Sequence, residues 1–235
     1  MEFTEVMNEL EALGTDYNKK RYVSNGAQEP VFGVATGKMK PMRKEIKINQ
    51  ELAEKLYATG NYDAMYFAGV IADPKAMTIE DYERWIDDAY FFMLSDYVVA
   101  VTLSESDIAE EVADKWIHSG DELRMSAGWS CYCWLLGSRK DEEFNLDKLS
   151  NMLDTVEETI QNMPERTKYA MNNFIYTVGT SYIPLHEKAL KIADSVGEVE
   201  IKRDNKKAQI LNAYENIQTQ VKKDRIGFKR RYVRC

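Results

Sequence analysis

Residues 89–104 read AYFFMLSDYVVAVTLS. Val98, Val99 and Val101 favour a strand by propensity alone. The apolar run is too long for an ordinary strand, and its only charge is Asp96. The stretch is therefore expected to be a buried helix. Two other stretches resemble it. Leu123 to Ser138 carries only Arg124, and Tyr169 to Leu185 carries no charge at all. A helix apolar on nearly every side belongs in the middle of a layered protein.

The flanking sequence has the period of amphipathic helices. Phe3, Val6, Met7, Leu10 and Leu13 step by threes and fours. So do Met152, Leu153, Val156, Ile160 and Met163, and again Ile210, Ala213, Tyr214, Ile217 and Val221. Asn49 can cap a helix ending before Gly60, and Thr78 with Asp81 has capping-box spacing. Pro41 and Pro164 sit where a first helical turn accepts proline. Asp73-Pro74 and Ile183-Pro184 separate successive helices.

Only 12 Gly and 5 Pro punctuate 235 residues, too few for the turns of an all-β protein. With 44% hydrophobic and 30% charged residues the chain reads as globular, not disordered. Helix after helix with short turns fits a bundle or an α-α solenoid, and five or six repeats of roughly 35–45 residues would fill the length. No apolar run has the length of a membrane span. The acidic, amphipathic start MEFTEVMNELEAL is neither a signal nor a transit peptide. Cys131, Cys133 and Cys235 suggest a reducing, cytoplasmic setting.

Strong catalytic motifs are missing. GVATGK at 33–38 lacks the spacing of a phosphate loop and its Ser or Thr. His118 and His186 are too few and scattered for zinc, and Cys131 and Cys133 fall on different helix faces. No metal and no cofactor is expected. The informative residues are the isolated charges. Asp96 and Arg124 either form a buried ion pair that fixes helix register or line a cleft. A lone carboxylate beside Phe91, Phe92 and Tyr97 suits a positive transition state, as when an N-glycosidic bond breaks with oxocarbenium character. Arg124 could hold a phosphate through its planar fork.

The net charge of −8 is unevenly spread. From Ile201 onward there are 11 Lys and Arg against 3 Asp and Glu, leaving 20 against 36 in the rest. An acidic body therefore ends in a basic tail, which hints at a polyanionic partner.

At these residues the chain resembles the DNA alkylation repair family, the AlkD-like HEAT-repeat DNA glycosylases. FGVATGKMKPMRKEIK, LAEKLYATGNYDAMYFAGVIADP, FMLSD, LRMSAGW, GEVEI and RIGFKRRYVRC occur in that order and carry the resemblance. It implies one all-α domain over 1–235, an α-α superhelix of HEAT-like repeats with a basic tail at 222–235. It also implies a catalytic Asp at Asp96 and an Arg at Arg124, on one concave face acting on alkylated DNA. Characterised members cradle the damaged nucleotide's sugar with two Trp side chains. Those positions fall on Phe92 and near Asn173, both departures from the pattern.

Three readings follow. The first is a glycosylase-like protein that excises cationic alkylpurines from double-stranded DNA. The second is a non-catalytic module for distorted or branched DNA. The third is a protein-interaction solenoid. For the DNA readings, Lys38, Lys40, Arg43 and Lys44 form one phosphate-contacting cluster. Lys222, Lys223, Arg225, Lys229, Arg230 and Arg231 form the other. Trp85, Trp116, Trp129 and Trp134 are assigned to the core.

Overall fold

A computed structural model describes residues 1–203 and 206–234. The opening stretch is helical, in three successive pieces: Phe92–Leu94, Ser95–Val99 and Ala100–Ser104. Its middle piece is a π turn, wider than the α-helix on either side. By contact density the described chain divides into two compact units, Met1–Ala109 with Arg234, and residues 110–233.

In the first unit Gln50–Tyr57 packs against Tyr62–Ile71. Asn49 and Asn61 cap them through Leu52 N at 3.1 Å and Asp63 N at 2.9 Å, satisfying otherwise orphaned donors. Trp85 lies flat on Tyr57, with centroids 4.0 Å apart. The Tyr57 hydroxyl donates to Trp85 O at 2.6 Å, so both rings are buried without losing their polar contacts. The helix Tyr62–Ile71 meets the π turn closely because of Gly69. A Cβ there would stand 2.7 Å from Val98 Cγ1.

A buried carboxylate organises the loop before the first basic cluster. Asp63 accepts from Phe32 N at 2.6 Å, Gly33 N at 2.9 Å and Val34 N at 2.7 Å. Burial pushes its carboxyl above the ordinary range, and the three N–H groups pull it back. Gly33 has φ +84, and a Cβ on it would come within 2.5 Å of Thr15 O and Lys19 N. Only glycine fits that close approach.

Arg234 also belongs to this unit. Its guanidinium donates to Gly69 O at 2.9 Å, Ala72 O at 2.8 Å and Glu105 Oε2 at 2.6 Å. It thus caps the carbonyl end of Tyr62–Ile71, where a cation is favoured. Arg234→Ala is expected to cost about 2 kcal/mol, since charged hydrogen bonds to part-buried acceptors are lost. Urea denaturation checks this, and an unchanged midpoint would refute it.

The second unit is two-layered. Glu122–Leu136 and Glu165–Ser181 run parallel in one layer, with their starts joined by Arg166 N donating to Glu122 Oε1 at 2.8 Å. Ala109–Ile117, Leu146–Thr159 and His186–Val196 form the other. Lys148 joins the first two of these by ion pairs to Glu110 at 3.0 Å and Asp114 at 2.7 Å. Lys188 joins the last two through Asp154 at 2.6 Å. Gly128 lets Glu122–Leu136 approach Ala109–Ile117, for a Cβ there would sit 2.8 Å from Ala113 O.

One feature departs from helices alone. Val199–Arg203 and Lys206–Leu211 pair as an antiparallel hairpin. Val199 and Ile201 face inward while Glu200 and Lys202 face water, the period-2 pattern of a half-buried strand. The helix Ala213–Lys222 follows, packed on Glu165–Ser181. Among the described residues no helix is long and apolar enough to cross a membrane.

Candidate functional site

Asp96 lies in the π turn, 2% exposed. The Ser95 hydroxyl donates to its Oδ1 at 2.9 Å. The widened turn gives these consecutive residues a placement that regular α spacing would not, and such turns recur at functional sites. A chain of aromatic edge contacts runs from the same helical stretch back into the first unit. Tyr22 meets Tyr62 at 4.9 Å, Tyr62 meets Phe91 at 5.3 Å, Phe91 meets Phe92 at 5.9 Å and Phe92 meets Tyr97 at 6.5 Å. Phe92 is half-buried and Tyr97 exposed, so the outer end of the chain offers ring surface in the same helical stretch as Asp96. The inner end is fastened to the Asp63 loop, because the Tyr22 hydroxyl donates to Val34 O at 2.7 Å. The chemistry available is a buried carboxylate with a hydroxyl partner, in a helical stretch that also carries aromatic faces, a set suited to a cationic group.

In the second unit Arg124 sits in the first turn of Glu122–Leu136, its N–H donating to the cap Asp121 at 2.9 Å. Its side chain is half-exposed. On the parallel neighbour, Arg166, Tyr169 and Asn173 step by three and four along one face. The Arg166 guanidinium lies 4.2 Å from the Tyr169 ring centroid. Asn173 is half-buried one turn further on. An aromatic therefore precedes the asparagine by one turn, a neighbour sequence reasoning overlooked although the spacing was present. Glu122 and Asp121 already satisfy N–H groups at these helix starts.

The two predicted cation clusters differ in character. Lys38, Lys40, Arg43 and Lys44 are all exposed, at the start and along the outer side of Lys40–Ile46. In the tail, Lys222, Lys223, Arg225, Arg230 and Arg231 are exposed, whereas Lys229 is tied into the fold. Its Nζ meets Asp141 Oδ1 at 2.7 Å and donates to Leu136 O at 2.8 Å, capping a helix end. The hairpin adds Lys202, Arg203, Lys206 and Lys207, all exposed and absent from the sequence-based site. Trp85, Trp116 and Trp129 are buried as expected. Trp134 is not a core residue: it is half-exposed, with the Arg230 guanidinium 4.9 Å from its ring centroid. Its place in an apolar helix hid that contact, because the cation arrives from 96 residues later. Among the described residues, no three His, Cys, Asp or Glu side chains are grouped to hold a metal ion.

Similar proteins match along almost the whole chain. A solved structure described as "a new family of proteins related to the HEAT-like repeat DNA glycosylases with affinity for branched DNA structures" is 70% identical, with a TM-score of 0.97 and 100% of both chains covered. Two proteins called uncharacterized are more distant. Lmo0209 of Listeria monocytogenes serovar 1/2a is 30% identical over 221 residues, 92% of this chain and 96% of its own. Lin0241 of Listeria innocua serovar 6a is 29% identical over the same shares. Residues 6–217 match the family described as DNA alkylation repair enzyme. With its fold shared by a HEAT-like glycosylase relative and its sequence matched from the first helix to the last, this chain belongs to the DNA alkylation repair family.

Proposed function

We propose that this protein binds DNA and prefers branched to linear duplexes. The observation that carries the reading is 70% identity, over the full length, to a protein described as having affinity for branched DNA structures. The charge distribution supports it. A chain of net charge −8 gathers exposed cations at 38–44, on the hairpin and along 222–231. Clusters of this kind position phosphates, while the acidic remainder disfavours indiscriminate coating of a duplex.

Asp96 favours a second reading, excision of cationic alkylpurines. A buried carboxylate beside Phe92 and Tyr97 is suited to an oxocarbenium-like state, and a cationic purine leaves without a general acid. The resemblance puts one of the family's two Trp positions on Phe92 and the other near Asn173, and the loss of both indoles argues for weak excision at most. Arg124 serves in both readings as a phosphate grip.

Two measurements separate these readings. In a competition mobility-shift assay at one fixed salt concentration, a four-way junction is expected to bind at least about tenfold more tightly than a linear duplex of the same sequence. Equal affinities would remove the branched-DNA proposal. Release of methylated base from a duplex carrying cationic methylpurines tests the second reading. There, Asp96→Asn is expected to slow release about a hundred- to a thousandfold while leaving junction affinity the same or higher. Asn173→Trp is expected to raise release. No release from wild type or the Trp variant leaves binding as the activity.

A further inference from the structure

Phe228 and Tyr232 are 66% and 68% exposed, unusual for aromatic side chains of this size. They belong to a segment, 225–232, that is neither helix nor strand, yet its backbone is fastened. Gly227 N donates to Thr180 O at 2.8 Å, and Arg230 N donates to Gly137 O at 2.7 Å. Between them Lys229 reaches inward to Leu136 O and Asp141. Gly227, at φ +78, lies so close to Ile183 that a Cβ would come within 2.8 Å of its Cδ1. The backbone is thus held on both sides of Phe228 while its ring stays in water. Arg225, Arg230 and Arg231 surround it in sequence, and the Arg231 guanidinium is 5.2 Å from the Tyr232 ring centroid.

A closed duplex offers such rings little, because its bases are stacked on both faces and only phosphates remain outside. An unpaired nucleotide offers a free base face and a phosphate together. Stacking of bases on fixed aromatic rings beside cations is how single strands are held without sequence preference. The local charge selects the same partner, for residues 222–234 carry seven Lys and Arg against Asp224 alone. We propose that segment 225–232 is a binding element for unpaired nucleotides, with Phe228 stacking on a base exposed at a branch point or in a single-stranded arm. The proposal rests on the DNA-binding reading above and names the part of a branched substrate that this segment recognises.

The test uses the full chain and its Phe228→Ala, Phe228→Trp and Arg231→Ala variants. The probes are a closed duplex, a fork with two single-stranded arms, and a single-stranded oligonucleotide, each titrated at several salt concentrations. Phe228→Ala is expected to weaken fork and single-strand binding about tenfold, with duplex affinity and every salt slope unchanged. Phe228→Trp is expected to retain binding. Arg231→Ala is expected to flatten the single-strand slope by about 0.7, the signature of one lost phosphate contact. Because Phe228 is exposed, all melting temperatures should stay together. Phe228→Ala binding the fork like wild type, or weakening duplex and fork equally, would overturn the stacking proposal. A wild type that binds none of the three probes, and no four-way junction, would instead overturn the DNA reading beneath it.

Discussion

Asp63→Ala is expected to lower the melting temperature by on the order of 10 °C. The Asp63 carboxylate accepts from three consecutive backbone N–H groups, of Phe32, Gly33 and Val34. Gly33 and Val34 are buried, so water cannot replace the lost acceptor without opening the loop. Removing one side of a buried charged network costs about 3–5 kcal/mol. For a chain of this size each kcal/mol moves the midpoint by about 2–4 °C. Asp63→Asn separates charge from shape. Its amide oxygen still accepts, but its NH2 faces N–H donors, so an intermediate loss is expected. Amide exchange at residues 32–34 gives the local readout, and should accelerate in both variants. A midpoint within about 2 °C of wild type would show that the loop does not depend on this carboxylate. The loss should also spread toward Asp96, because Tyr22 links Val34 to the ring chain ending at Phe92 and Tyr97.

The helices were legible in the sequence because burial leaves a trace in composition. Single charges in residues 89–104 and 123–138 announced inner helices, and the caps at Asn49 and Thr78 form as their spacing implied. The π turn was not legible, since one residue's surplus in a helix changes no residue type. The hairpin left a faint signal in the alternation of Val199 and Ile201, but its strands span only five and six residues. Asp63 resembled an ordinary acidic residue in a helix's first turn, and nothing local tells that its acceptors' partners lie about thirty residues earlier. Cations were the least readable. Lys229 and Arg234 look like their tail neighbours in sequence, yet each ends on helix carbonyls and a carboxylate. Deleting 222–235 would therefore remove structural caps together with any DNA contacts, and point substitutions are the cleaner probe.

For that reason the electrostatic test belongs on the first cluster, where Lys38, Lys40, Arg43 and Lys44 are exposed and can be changed without unfolding a helix cap. Replacing all four with Ala is expected to weaken duplex and junction binding alike, because phosphate contacts carry no sequence or branch information. Each contact that releases a counterion contributes about 0.9 to the slope of log affinity against log salt, so four contacts would flatten it by about 3.6. Extrapolated from molar to physiological salt, that slope amounts to about a thousandfold in affinity. Single substitutions should each give about a quarter of the slope change. A smaller, graded result would count the cations that reach phosphates. An unchanged slope in the quadruple variant, with the melting temperature retained, would take this face off the DNA surface and leave the hairpin and the segment 225–232 as the contacts. The junction preference should survive in either case, since a uniform loss of phosphate contacts scales both affinities together. A variant that loses the preference along with the affinity would instead place branch recognition itself at residues 38–44.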